Sequence, residues 1–274
     1  MPSPACEDRP LVMGILNVTP DSFSDGGKWF EREQAVRKGH QMVGEGADIV
    51  DVGGESTRPG AQPVSADEEL RRVIPVIEAL AGEVRVSIDT TKEVVAEAAV
   101  GAGASLINDV SASLWPVAAR HGVGWVAMHR KGTPATMQQD PHYDDVVGEV
   151  SALLVERATR AADAGVAEVW IDPGIGFGKT VDHNLALLAS LGHLVATGYP
   201  VMVGTSRKSF LASLTSPAGG ASVPVEERLP ASVATATWAM TQGAGMVRVH
   251  DVAATVQAAV LVGRVAAGQS EVGT

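Results

Sequence analysis

The stretch VRVSIDTTKEVVAEAAVGAGASLIND, residues 84–109, carries one full repeat of the pattern that organises this chain. Its opening run, residues 84–88, has β-branched side chains at 84, 86 and 88, as a strand prefers, and Asp89 follows it. Residues 92–102 are rich in Ala, Glu and Val and read as a helix. A second short run at 105–107 then ends in Asn108 and Asp109. A strand, a helix and a strand in so little chain is a crossover unit, which pairs its strands in parallel.

Working outward, comparable runs stand at 11–16, 48–52, 124–128, 169–171, 200–203 and 246–249, so the chain holds eight. Helical stretches fit between them at 32–44, 67–81, 145–164, 184–194, 230–242 and 252–267, whereas 114–121 is short. Eight repeats in 274 residues favour an α/β fold of the single (β/α)8 barrel type over a doubly wound sheet. The barrel is expected over 11–268, with tails at 1–10 and 269–274. Residues 215–225, TSPAGGASVPV, read as a surface insertion outside any site.

The chain carries 21 Lys and Arg against 32 Asp and Glu, a net charge of −11, which argues against binding nucleic acid or an anionic membrane face. Cys6, the single cysteine, can form no intrachain disulfide, which suits a reducing cytoplasm. No secretory signal and no apolar run long enough to span a membrane is found, so no membrane partner is expected.

In a barrel of this kind the loops after the strands form the working face. The residues there are Asn17, Asp51, Asp89, Asn108 with Asp109, His129, Asp172, Ser206 to Lys208, and Arg248 with His250. Asp and Asn also cap helices, so any one of them has a structural alternative. Arg, Lys and His do not serve that way, and Arg207, Lys208, Arg248 and His250 converge after the last two runs, where such barrels often bind phosphate.

DPGIGFGKT, residues 172–180, ends like a phosphate-binding P-loop, but Pro173 stands where the first glycine is required, and its glycines miss the dinucleotide spacing. It reads instead as a carboxylate followed by a turn that glycine permits. The seven histidines show no H-E-x-x-H. Mg²⁺ with few protein ligands, Asn17 among them, remains open because that ion keeps most of its waters.

The strings MGILNVTPDSFSDGG, DVGGESTRPGA, SIDTTK, LINDVSA, MHRKGTP, IDPGIGFGKT, VGTSRKSF and VRVHDV, in this order, resemble the dihydropteroate synthases of folate biosynthesis. The resemblance implies a transferase joining 6-hydroxymethyl-7,8-dihydropterin diphosphate to p-aminobenzoate, with 7,8-dihydropteroate and pyrophosphate as products. It implies a pterin pocket of Asp89, Asn108, Asp172 and Lys208. Asn17 through Mg²⁺, with Thr57, Arg58, Arg248 and His250, would hold the diphosphate. Phe23, Pro59, Phe177, Lys208 and Ser209 would form the p-aminobenzoate pocket, where sulfonamides compete. Asp25, Arg58, Asp172 and Lys208 are the implied catalytic set, acting by a dissociative route under two closing loops, and a homodimer is implied as well. Arg130 and Ala112 with Ser113 depart from the family's pattern without falling on an assigned residue. Two rivals stay open: a pterin-dependent methyltransferase barrel and a non-catalytic pterin-binding paralogue.

Overall fold

A computed structural model describes residues 9–19, 27–56, 62–133, 136–217 and 220–272. Strands and helices alternate through them: β1 (Leu11–Asn17), α1 (Gly27–Gly44), β2 (Ile49–Gly53), α2 (Ala66–Leu80), β3 (Arg85–Asp89), α3 (Glu93–Gly101), β4 (Leu106–Asp109), α4 (Trp115–His121) and β5 (Gly124–Met128). The second half gives α5 (Val146–Asp163), β6 (Val169–Asp172), α6 (Val181–Ala189), α7 (Leu191–Val195), β7 (Met202–Val203), α8 (Ser209–Thr215), α9 (Leu229–Thr241), β8 (Met246–Val249) and α10 (Val252–Val272). The eight strands lie side by side in the order β6-β5-β4-β3-β2-β1-β8-β7 and every pairing is parallel. Ile171 bridges Val201 and its amide donates to Pro200 at 3.0 Å, which brings the two outer strands together and nearly closes the barrel.

Local chemistry starts the helices. Ser65 caps α2 by accepting from the Glu68 amide at 3.3 Å, and the acidic residues of its first turn suit the positive end of the helix dipole. Thr180 and His183 form a reciprocal capping box on α6. That cap starts the helix at Val181, ahead of the expected 184, and the expected single helix to 194 breaks at Ser190 into α6 and α7. α10 runs to Val272, five residues past its expected end, because nothing between 268 and 272 removes a backbone donor. The seventh run, expected over 200–203, pairs as a strand only at Met202 and Val203, since Pro200 has no amide to give and Gly204 ends the ladder.

Two apolar layers hold the barrel. Outward-facing strand residues such as Val50, Ile88, Ile107 and Ala127 pack under the helices in the main core. Inside the barrel, Met13, Ile49, Leu106, Val126, Trp170, Met202 and Met246 form a separate plug, one residue from each strand except β3. β3 offers Arg85 there, which turns out to pair with Glu168 at 2.9 Å. Above this plug the inward positions become polar.

Asn108 and Asp109 are neighbours at the end of β4, and the two-residue period of a strand sends them to opposite sides. Asp109 faces outward, fully buried, and accepts from the amides of Ser111 at 2.8 Å, Ser113 at 2.7 Å and Leu114 at 2.6 Å, and from the Trp125 indole at 3.2 Å. It is therefore a structural turn organiser. Asp109→Ala should destabilise the chain by about 3 kcal/mol, since five donors, the Ser111 hydroxyl among them, lose their acceptor, and thermal denaturation should show a drop of roughly 6–12 °C. A melting point within 2 °C of the parent, itself well below that estimate, contradicts this role.

Candidate active site

The carboxyl ends of the strands surround a cavity of about 410 Å³. Nine sequence-derived candidates line it: Asn17, Asp89, Asn108, Asp172, Phe177, Lys208, Ser209, Arg248 and His250. The other five, Phe23, Asp25, Thr57, Arg58 and Pro59, lie outside the described residues. Val52 and Ile88 face outward into the core, so the inward carboxylates alternate with them along β2 and β3.

The deep end is a charge network. Arg248 donates through Nε to Asp51 at 2.7 Å and through Nη2 to Asp89 at 2.7 Å. Burial pulls the Arg248 guanidinium pKa down, but the Asp51 and Asp89 carboxylates more than offset it and leave it raised. Burial pushes Asp89 up to about 7, against the pull of Arg248 and with Asp51, Glu69 and Asp109 adding to the rise. Asp172 is also raised by burial, with Lys208 opposing. Lys208 is lowered to about 8 by burial, while Asp172 resists that shift.

These pairings revise one expectation. The four convergent cations do not form an open positive cluster, because Arg248 is turned inward onto two carboxylates and Arg207 is bound to Asp251 at 3.0 Å. Asp51 and Asp89 come from β2 and β3, and Asp251 follows β8.

Beside Asp172 the glycine-rich loop folds tightly. Gly174, Gly176 and Gly178 all have positive φ, and a Cβ on Gly174 would stand 1.8 Å from the His129 carbonyl oxygen. Asp172 accepts from the Gly174 amide at 2.7 Å, and Asn184 accepts from that of Gly176 at 2.7 Å. Lys179, unassigned in the sequence, is buried at the loop's centre and donates to the carbonyls of Gly174 at 3.0 Å and Phe177 at 3.1 Å. It also meets His129 Nδ1 at 2.9 Å. Burial lowers Lys179 to about 7 and His129 to about 3, where Lys179's charge adds to the effect. The P-loop-like ending thus has another explanation: Lys179 staples the loop and Thr180 caps α6. The empty P-loop template was the signal that these residues needed one.

This loop meets Lys208. Its ammonium donates to the Ile175 carbonyl and sits 4.8 Å from the Phe177 ring centroid, a cation–π contact. Arg207 just before it has φ 59, the left-handed region, held by its amide donating to Ser232 at 2.9 Å and its carbonyl accepting from Arg228 at 3.0 Å. That turn sends Lys208 inward while Ser206 meets His250 Nδ1 at 3.0 Å. Val225 and Arg228 also line the cavity, so the 215–225 insertion does reach the site at its last residue, contrary to expectation. The 3-10 turn Val225–Glu227 ahead of α9 carries it there. Ala112, a departure from the family's pattern, has φ 50, a conformation glycine adopts without strain.

Among the described residues no group of three His, Cys, Asp or Glu could hold a metal ion, and no helix is long and apolar enough to cross a membrane. Asn17 lines the cavity at the end of β1, and its side chain carries an amide oxygen, a ligand type that suits a hard cation carrying its own waters.

Residues 13–250 match the family model described as pterin binding enzyme. The chain is 47% identical over 258 residues to dihydropteroate synthase of Escherichia coli K12, covering 91% of this chain and 89% of that protein. It is 48% identical over 261 residues to that of Mycobacterium leprae, covering 92% of each. A solved structure of Xanthomonas albilineans dihydropteroate synthase with 4-aminobenzoic acid has a TM-score of 0.87 and 48% identity, covering 95% of this chain and 94% of that one.

Proposed function

We infer that this chain carries out its family's reaction, because it belongs to the pterin-binding enzyme family and, within it, to the dihydropteroate synthases. It is a transferase of folate biosynthesis that condenses 6-hydroxymethyl-7,8-dihydropterin diphosphate with p-aminobenzoate. The observation that carries the reading is the meeting of Asp89, Asn108, Asp172 and Lys208 in one cavity whose outer part holds Phe177 and Ser209. Flat heterocycles with several ring donors and acceptors need such a mixed set of fixed partners.

The pterin would lie deep, against Asp89, Asn108, Asp172 and Lys208. p-Aminobenzoate, or a sulfonamide competing with it, would stack on Phe177 with its carboxylate toward Ser209 and Lys208. His250 and Arg248 would face the diphosphate. Asn17 would hold Mg²⁺, which when bound supplies positive charge to the departing oxygens. Thr57 and Arg58 are proposed to meet the diphosphate from the second loop, with Phe23 and Pro59 as further walls and Asp25 as a further carboxylate.

The C–O bond between the pterin methylene and the diphosphate breaks first, and both electrons leave with pyrophosphate. The methylene cation is spread over the pterin ring and stabilised by the Asp172 carboxylate, held close and away from water. The aniline nitrogen then attacks, forming the C–N bond and releasing a proton to the pyrophosphate or solvent. No side-chain nucleophile takes part.

A homodimer is part of this proposal, and Trp238, Leu261 and Val265 offer exposed apolar side chains for it on α9 and α10. A cytoplasmic setting is proposed with it. The two rival readings find no support among these relatives, all of which are dihydropteroate synthases.

Incubating the protein with pterin diphosphate, p-aminobenzoate and Mg²⁺ should yield dihydropteroate by mass spectrometry, and absence of that product overturns the reading. The pH profile follows from the same residues. Asp89, raised to about 7, is neutral below that pH and presents an O–H donor in place of the charged acceptor proposed to meet the pterin. Lys208, lowered to about 8, loses its charge above that pH. kcat/KM should therefore peak between these values and fall about tenfold per pH unit on either side. A flat profile from about pH 6 to 9 contradicts it.

A further inference from the structure

Below the cavity, Asp51 stands on β2 with no exposed surface and is absent from the cavity lining. Its neighbours in register are Ile15 on β1 and Ser87 on β3. One oxygen, Oδ2, accepts from Asn108 Nδ2 at 2.9 Å and from Arg248 Nε at 2.7 Å. Both donors do line the cavity.

Asn108 Oδ1 is buried without a hydrogen-bond partner, so the bond to Asp51 is what decides how the Asn108 amide is turned. A carboxylate accepts and does not donate, so it holds the amide with its NH₂ toward β2 and prevents the flip. The same oxygen sets the plane of the guanidinium through Nε, and Nη2 then reaches Asp89. This arrangement is costly to stability. Asp51 Oδ1, Asn108 Oδ1 and Ser87 Oγ are all buried and unpartnered, whereas the layer just beneath is filled by Met13, Ile49 and other apolar side chains.

We propose that Asp51 is a positioning residue for pterin recognition, orienting the Asn108 amide and the Arg248 guanidinium toward a ligand it does not itself touch. The proposal rests on reading the cavity as the pterin site. It accounts for a buried carboxylate at a level where an apolar side chain would pack without orphaned atoms.

The test is calorimetric binding of 6-hydroxymethylpterin, an unreactive probe, together with steady-state kinetics. Asp51→Asn should weaken pterin binding at least tenfold and leave the KM for p-aminobenzoate within twofold, by analogy with the tenfold or greater losses seen when an orienting partner is removed. In an Asn108→Ala background the same substitution should cost less, because one of the two groups it acts through is gone and only the Arg248 guanidinium remains. Unchanged pterin binding with only a lower melting temperature, or an equal loss in both backgrounds and both substrates, overturns the proposal. Should Asp51→Asn not fold, the exchange Asp51→Asn with Asn108→Asp keeps one carboxylate and one hydrogen bond between the two positions. It should bind the pterin at least tenfold more tightly than Asn108→Asp alone, and equal binding overturns the proposal. A parent protein that binds no pterin overturns the functional reading, and this assignment with it.

Discussion

Lys208→Ala is expected to lower kcat/KM about 10³-fold, close to 4 kcal/mol of transition-state stabilisation, in a coupled pyrophosphate-release assay. The ammonium lies where the two proposed pockets meet. It stands over Phe177 at 4.8 Å, donates to the Ile175 carbonyl and is the charge that opposes the rise of Asp172. Truncation removes the proposed pterin donor and the cation on the proposed p-aminobenzoate wall together. It also leaves Asp172 buried with less compensation, so that its pKa rises further and the ionised carboxylate proposed to steady the cation is disfavoured. Lys208→Arg should restore little, since a planar fork does not fit a site built around one ammonium above Gly176, whose absent side chain would stand 3.1 Å from the Lys208 Cδ. Activity within fivefold of the parent enzyme, far short of the predicted loss, would remove Lys208 from the site.

How far such a residue can be seen in the sequence depends on what locates it. Asp89, Asn108, Asp172 and Arg248 follow from the eight-run count alone, because in a parallel barrel every strand's carboxyl end faces the same side. Which way a strand-end residue points is decided by single-residue register, and there the reading thins. Asn108 and Asp109 looked alike in sequence, yet one lines the cavity and the other organises a turn. Long-range pairing is harder still. Arg248 meets Asp51 across 197 positions, and nothing in either motif marks that bond. The expected positive cluster rests on where Arg207, Lys208, Arg248 and His250 stand after the last two runs, and that placement does not register which carboxylates the fold brings to those cations. Val225 reached the cavity wall because an intervening 3-10 turn redirects the insertion, a local event that loop composition does not encode.

The glycine loop carries the other large effect. Gly174→Ala is expected to cost at least about 3 kcal/mol of stability and to lower kcat/KM by about 10²-fold or more in the fraction that folds. Two independent obstacles stand in the way. φ 64 strains any L side chain, and the new Cβ would fall 1.8 Å from the His129 carbonyl oxygen, which is backbone and cannot swing aside. The loop must then shift as a body, and its parts are wired to the site. Asp172 holds the Gly174 amide, Lys179 holds the Gly174 and Phe177 carbonyls, and Lys208 holds the Ile175 carbonyl. A displacement that relieves the clash therefore moves Phe177 and the Lys208 ammonium together, and near-attack geometry tolerates little of this. Gly122→Ala is the control: its φ of 66 imposes the same backbone strain, but a Cβ there meets nothing within 4 Å. It should cost about 1–2 kcal/mol in thermal denaturation and leave kcat/KM unchanged, so the difference between the two variants isolates the collision from the backbone strain. Equal stability losses in the two, with equal activity, would mean that the loop at Gly174 yields without disturbing Lys208, and would detach this turn from the chemistry.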